Sequence, residues 1–459
     1  MTGAPMTTSD ELFSVADRVL DLVRAAAPSA EAEATVEAGT EALTRFANSA
    51  IHQNVAEEVA RVGLRVARGG RVAAARLEGT DDAALRRLVD DVIAAAAARP
   101  LDPDWPGVAG ASADDAATAA IDHWDDDTAD APPMERAARV AAFVAAAGGL
   151  ETAGACATEG RLVAFATSAG CRRSGRATLA TLAGIARTPT ADGSARAASA
   201  RLGAVDGAVS GAAAAAKASA ASDPADLEPG RYEVVLEPAC VADVLAFLFI
   251  HGFNARAVQE GRSFAQPGEP QFDPAITLRD DAADPGQAGL GFDAEGTLKR
   301  AVTVVEHGVT AALLHDRRTA ARAGVASTGH SQGPGPWVPG TAPANVVLDA
   351  GARTAHELVA SIRRGLLVTD FWYTRILDPR TQVVTGLTRN GVWLVEDGEI
   401  VRPVRNLRFT QSYVGALAPG AVLGVSSDRT LVVDRDGGPA MLVPALHLAS
   451  WNFTGGSRG

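Results

Sequence analysis

The pentapeptide Gly329-His330-Ser331-Gln332-Gly333 spells G-x-S-x-G, the pattern that sets a nucleophilic serine on a sharp strand-to-helix turn. Such a serine needs an imidazole base and a carboxylate to orient that base. His447 lies downstream and Asp370 or Asp378 lies between, so the chain order of a hydrolase triad can be assembled. The exit from the turn argues against it. Gly333 to Gly340 reads GPGPWVPG, and this alternation of glycine and proline cannot start the packed helix that the nucleophile elbow requires. The bland reading is a glycine-rich loop.

His356-Glu357 opens like the zinc-binding H-E-x-x-H, in which two imidazoles emerge from one helical face. Position 360 is Ala, so the pair reads as exposed residues of an ordinary helix starting near Thr354. Gly289-Leu290-Gly291 lacks the strand-turn-helix setting of a dinucleotide loop, and no Walker-type sequence is present. Cys156, Cys171 and Cys240 are odd in number and without C-x-x-C spacing. They suit reduced, buried thiols in a cytoplasm better than a disulfide framework.

The elements that must position these groups follow from periodicity. Ser9 to Ala27 repeats apolar residues at Leu12, Val15, Ala16, Val19, Leu20 and Val23, which is helical spacing. Glu31 to Val36, Val55 to Ala67 and Arg71 to Ala75 alternate or are rich in β-branched residues, as strands of a mostly antiparallel sheet do. Thr80 to Ala98 and Met134 to Ala147 read as helices, and Asp102 to Pro133 as an irregular excursion. Gly149 to Gly211 returns to strands, and the Ala/Ser run from Ala212 to Ser222 is helical by propensity, with Pro224 as its stop.

After Pro229-Gly230 the texture changes. Tyr232 to Leu236 is a short strand, Pro238 to Gln259 has the length and apolar content of one buried helix, and the remainder shows short alternating runs divided by Gly, Pro and Asp. The expectation is an α+β protein of two domains. Residues 1–228 form an N-terminal α/β domain with a mostly antiparallel sheet, ending in the Ala-rich helix. Residues 229–459 form a β-rich, barrel-like C-terminal domain around helix 238–259.

Composition narrows the partners. A net charge of -13 with no Lys/Arg cluster lacks the electrostatic footprint for nucleic acid. Apolar runs such as Val140 to Ala147 and Val244 to Ile250 are too short to span a bilayer, and the first residues, MTGAPMTTSDELF, are acidic where a signal peptide is basic. The expected location is the cytoplasm.

The stretch GFDAEGTLKRAVTVVEHGVTAALLHDRRTAARAGVASTGH, Gly291 to His330, resembles the C-terminal region of the TldD/PmbA family, with its F-D-x-E-G segment, E-x-G-V-like turn and S-T-G loop. Supporting pieces are Gly230 to Leu236, the Asp378-Pro379-Arg380-Thr381 turn, Trp393 to Ile400 and Val443 to Leu446. The resemblance makes Ser331 part of a family loop rather than a nucleophile. TldD members are metallopeptidases with H-E-x-x-x-H on a helix and a cysteine nearer the C-terminus completing the metal site; their TldE-type partners lack these groups. Anchored on Gly261-x-Ser263, the motif falls on Ala246-Phe247-Leu248-Phe249-Ile250-His251, so only the last histidine is present. The cysteine expected near Gly424-Val425-Ser426-Ser427 is missing too.

The resemblance therefore implies a TldE-like subunit with no catalytic residues and no metal of its own. Zinc, or iron, is expected on a TldD-like partner that carries H-E-x-x-x-H, and the substrate is an extended peptide. His251, Asn254, Arg256, Ser263, Thr328 and His330 are the expected lining of the substrate channel, with His251 alternatively a relic packed on its helix and Asn254 and Arg256 alternatively facing solvent. Two other classes compete with this reading: the serine hydrolase through Ser331, and a non-enzymatic homodimer with a binding or regulatory role.

Overall fold

The structure, a computed structural model, describes residues 6–111, 121–333, 340–433 and 438–456. Helix α1 (Ser9–Ala26) starts at a capping box in which the Thr8 side chain accepts from the Glu11 N–H and Glu11 reaches back. It is followed by β1 (Glu31–Ala47), β2 (Ala50–Arg68), β3 (Arg71–Glu78) and α2 (Asp82–Ala98). The short α3 (Asp126–Ala129) lies within the stretch expected to be irregular, of which residues 112–120 fall outside the described residues. Then come α4 (Pro133–Ala146), β4 (Glu151–Thr167), β5 (Arg172–Arg187), β6 (Asp192–Ser199) and α5 (Gly207–Ala220).

The six strands form one antiparallel sheet in the order β3-β2-β1-β4-β5-β6. Its strands reach 19 residues, and β1, β2 and β3 each extend beyond the expected Glu31 to Val36, Val55 to Ala67 and Arg71 to Ala75. Strand β1 explains how the sheet is used. Ala32, Ala34, Val36 and Ala38 are buried under α1 and α2, and Phe46 is buried under α4 and α5. The residues between them, Glu33, Thr35, Glu37, Glu41 and Arg45, point to the opposite face. All four long helices therefore cover one face, and the other is polar.

The chain continues through β7 (Gly230–Leu236), α6 (Pro238–His251), α7 (Ala255–Gln259), β8 (Leu278–Asp280), β9 (Val302–Glu306) and β10 (Val309–Thr310). Next are α8 (Arg317–Ala323), β11 (Asn345–Leu348), α9 (Ala355–Ala360), β12 (Arg364–Asp378), β13 (Val383–Glu396), β14 (Glu399–Pro403) and β15 (Leu407–Ser412). The last are α10 (Tyr413–Ala416), β16 (Val422–Val425), β17 (Thr430–Val432), β18 (Ala440–Val443) and β19 (Leu446–Gly456). The strands build two mixed sheets, β10-β9-β8-β11-β18-β17 and β12-β7-β19-β15-β13-β14, with β16 paired to β19 and β12 also paired to β13. The protein is thus α+β, its first sheet antiparallel and its second half rich in strands.

Helix α6 is apolar nearly all round and has no exposed residue, and its one carboxylate, Asp243, accepts from Thr374 Oγ1 at 2.7 Å and Tyr413 OH at 2.8 Å. Cys240, Val241, Val244, Leu245, Leu248 and Phe249 are all essentially inaccessible, and they pack into a core that draws residues from both C-terminal sheets. The single helix expected over 238–259 is two. Gly252 ends α6, and a Cβ there would meet a ring carbon of Phe264 at 2.0 Å and Leu248 O at 2.4 Å. Asn254 then caps α7 by accepting from the Arg256 N–H at 3.0 Å. No described helix is long and apolar enough to cross a membrane.

Candidate functional site

The polar face of the N-terminal sheet and the loops of the C-terminal half enclose a cavity of about 1520 Å³. One wall carries Glu33, Glu37, Glu41, Arg61 and Arg65 from β1 and β2, with Glu159 and Arg161 from β4. The facing wall is built from loops around Ala288 to Ala294, Lys299, Gly329 to Gly333 and Ala342 to Asn345. Opposite charges meet across the strands, with Glu33 of β1 opposite Arg65 of β2 and Glu37 opposite Arg61. Arg61 lies between Glu37 at 3.5 Å and Glu41 at 2.6 Å.

At one end a buried ionic network joins the two walls. Arg65 pairs with Glu33 across the sheet and lies 3.5 Å from Glu295 of the F-D-A-E-G loop. Glu295 also accepts the Arg317 backbone N–H at 3.0 Å. Burial pushes Glu33 up to about 7, even though Arg65 pulls it down. Burial alone would lower Arg65, but Glu33 and Glu295 outweigh it and hold the guanidinium above its ordinary value. Asp293 is pushed up to about 6 by burial and by Glu295, against three backbone donors. Those donors are Glu295 N and Thr297 N at 2.9 Å and Ser331 N at 2.8 Å.

Ser331 is thus held as a loop residue. Its N–H serves Asp293, its Oγ accepts from Gly333 N at 3.3 Å, and it forms an isolated bridge with Thr341. Residues 334–339, most of the glycine-proline exit from that loop, lie outside the described residues. The triad partners are engaged elsewhere. His447 Nε2 is 2.7 Å from Glu233 Oε1 and its Nδ1 is 3.4 Å from Ser361 Oγ. Asp370 pairs with Arg196 at 2.7 Å, and Asp378 closes its own D-P-R-T turn by accepting from Arg380 N at 3.0 Å and Thr381 Oγ1 at 2.6 Å. His356 is exposed, and Glu357 completes a capping box with Thr354 at the start of α9. The three cysteines are free and buried.

Among the six residues expected along a channel, His330 borders the cavity. Its Nδ1 is 2.8 Å from Thr328 Oγ1 and its Nε2 3.1 Å from Asp280 Oδ1. Thr328 Oγ1 also accepts from His315 N at 2.7 Å, so it braces His330 from behind. Asn254 is buried, donating to Thr341 O at 2.9 Å as it caps α7. Ser263 donates to Gly252 O at 2.7 Å, stapling the end of α6, and Arg256 pairs with Glu260 at 2.8 Å on the surface. His251 sits 5.8 Å, ring to ring, from Phe247, and burial and nearby Arg262 lower its basicity.

The residues at the metal-motif positions do not fit a catalytic metal. Ala246 offers no donor, and the Phe247 ring packs edge-on against Tyr413 at 5.8 Å. Among the described residues no three His, Cys, Asp or Glu side chains stand close enough together to hold an ion. One imidazole does not make a site for zinc, which takes three protein ligands and an open position.

Sequence reasoning missed the charged wall: Glu33, Glu37, Glu41, Arg61, Arg65 and Arg161. The signal was present in EAEATVEAGTEAL, where glutamates at every second or fourth position alternate with small apolar residues.

Two family descriptions match the chain: PmbA/TldA metallopeptidase C-terminal domain over residues 229–450, and PmbA/TldA metallopeptidase domain 1 over residues 32–96. A Methanothermobacter thermautotrophicus metalloprotease is 26% identical over 222 residues, 47% of each chain. A metalloprotease of Archaeoglobus fulgidus is 27% identical over 187 residues, 39% of this chain and 42% of that one. These matches span about half the length of either relative. Among solved structures, TldE from Thermococcus kodakarensis superposes with a TM-score of 0.81 at 16% identity, over 98% of this chain and 100% of that one. A Thermotoga maritima protein, crystallised as a candidate modulator of a DNA gyrase, gives the same TM-score at 17% identity over 96% and 100%. At these identities the likeness is one of fold.

Proposed function

The chain belongs to the PmbA/TldD metallopeptidase family, and from that premise we propose that it is the metal-free, TldE-like half of a two-chain peptidase. Its role is to shape the channel along which an extended peptide reaches the metal of an H-E-x-x-x-H-bearing partner. The observation that carries this reading is the pair Ala246 and Phe247, hydrocarbon at the positions where the family's catalytic chain has its first ligand and its base. Position 247 has no carboxylate to deprotonate water, and Asp243, the carboxylate of that helix, is held by Thr374 and Tyr413, so the helix offers no base for activating a nucleophile.

The cavity supports the substrate class. A long groove lined by small and charged side chains of the sheet face suits an extended peptide bound with loose sequence demands. Free, buried cysteines are consistent with a cytoplasmic setting. Co-purification of the tagged chain from its native source tests the pairing. A second chain bearing H-E-x-x-x-H is expected. A stable particle of twice 46.9 kDa containing this chain alone would contradict the reading.

A further inference from the structure

Lys299 borders the cavity, and its ammonium has one hydrogen-bond acceptor among the described residues, Asn345 Oδ1 at 3.1 Å. The orientation of that amide is fixed, because Asn345 Nδ2 donates to Ala288 O at 2.7 Å. An ammonium has three donors, so two remain for whatever occupies the cavity. The nearby carboxylates are already committed. Asp280 accepts from Ala344 N at 2.8 Å and Asn345 N at 3.1 Å and faces His330, and Asp293 holds its three backbone donors. Neither lies within ion-pair distance of Lys299 among the described residues, although both act on it at longer range.

A second cation faces the same space from the other wall. Arg161, on β4, also lines the cavity and is close enough to repel Lys299 electrostatically. Its carboxylate contact among the described residues is Glu159 at 3.6 Å, longer than a charge-assisted hydrogen bond. Two underpaired cations on opposite walls of a partly desolvated cavity are costly unless an anion completes them. Arg45 and Arg76 also line the sheet wall with no carboxylate contact among the described residues, but Lys299 is the one Lys or Arg that the facing wall brings to the cavity, and Arg161 acts on it. Arg61 and Arg65 are each bound to glutamates across the sheet.

We propose that Lys299 and Arg161 form a carboxylate-binding site that anchors a peptide substrate, taking its C-terminal carboxylate between them. This rests on the peptide-channel reading above and adds to it the part of the peptide that is recognised. A main-chain terminus suits the site because it brings a single carboxylate to a cavity with a cation on each wall. An acidic side chain offers the same chemistry and is separated from the terminus by the test.

The test measures fluorescence anisotropy with N-terminally fluorescein-labelled hexa-alanine as the free acid, as the C-terminal amide, and as the amide with one internal Glu. Binding to the full chain is compared with binding to Lys299→Gln, Lys299→Arg and Arg161→Gln, each checked for an unchanged thermal transition. The free acid is expected to bind about tenfold more tightly than the plain amide, with the preference lost in Lys299→Gln, weakened in Arg161→Gln and kept in Lys299→Arg. If the Glu-bearing amide matches the acid and loses its advantage in Lys299→Gln, the carboxylate site stands but the C-terminal assignment is overturned. Equal binding of acid and both amides, or a preference that survives Lys299→Gln, overturns the anchor while leaving the channel intact. If no probe binds the chain either alone or together with an H-E-x-x-x-H-bearing partner, the anchor and the channel fall together.

Discussion

Asp293 Oδ2 accepts the backbone N–H of Ser331 at 2.8 Å, tying the F-D-A-E-G loop to the S-T-G loop within the cavity wall. That bond gives Ser331 a structural part and leaves its hydroxyl to the turn at Gly333. A fluorophosphonate probe should therefore leave the chain unlabelled, and stoichiometric labelling at Ser331 would revive the hydrolase reading. Asp293→Ala strips three backbone donors of their acceptor and should destabilise the fold by about 2 kcal/mol or more, measured by urea unfolding.

The Glu33, Arg65, Glu295 network predicts a pH dependence of stability. A carboxyl raised to about 7 in the folded chain binds a proton there that the unfolded chain has already released above about pH 4.5. Between those values the native state holds more protons, so stability falls as pH rises towards 7. Asp293, pushed up to about 6, adds in the same direction. Glu33→Gln should flatten the slope of unfolding free energy between pH 5 and pH 7, measured by denaturant titration at a series of pH values. An unchanged slope would refute this account of Glu33.

Gly308 closes the β9–β10 hairpin with φ of 84°, following His307 at 45°, and a Cβ there would meet Phe272 O at 2.4 Å. Gly308→Ala combines a left-handed backbone with a clash against main chain. It should cost at least ~1 kcal/mol and lower Tm by several degrees. The E-x-G-V signature in the sequence is this turn.

How much of this was legible beforehand depended on distance along the chain. The helix over Ser9–Ala26 carries its own cap and apolar stripe, so local sequence was enough. Strands β1 and β4 were harder, because runs such as TVEAGTEAL and ETAGACATEG are rich in Ala and Gly, whose strand preference is weak; cross-strand pairing supplies the order. Helix α5 begins at Gly207, before the Ala-rich run, because Asp206 accepts from Ala208 N and Val209 N. The cavity could not be seen at all from periodicity. It juxtaposes Glu33 and Arg161 with Lys299 and His330, residues far apart in sequence that only the packing of the two halves brings together.

His251 stands where the resemblance places the last histidine of the metal motif, and it packs beside Phe247 with its basicity lowered by burial. In a reconstituted pair, His251→Ala should leave assembly intact and reduce kcat/KM by less than about tenfold, or ~1.4 kcal/mol. A loss as complete as that from disabling the partner's motif would make this chain a catalytic contributor.

Metal content and peptidase activity of the purified chain, before and after addition of an H-E-x-x-x-H-bearing partner, test the central claim most directly. The chain alone, dialysed against trace zinc and iron, should retain neither in stoichiometric amount and should cut no peptide, with both metal and cleavage appearing when the partner is added. Stoichiometric zinc or iron on the isolated chain together with unaided cleavage would contradict the account.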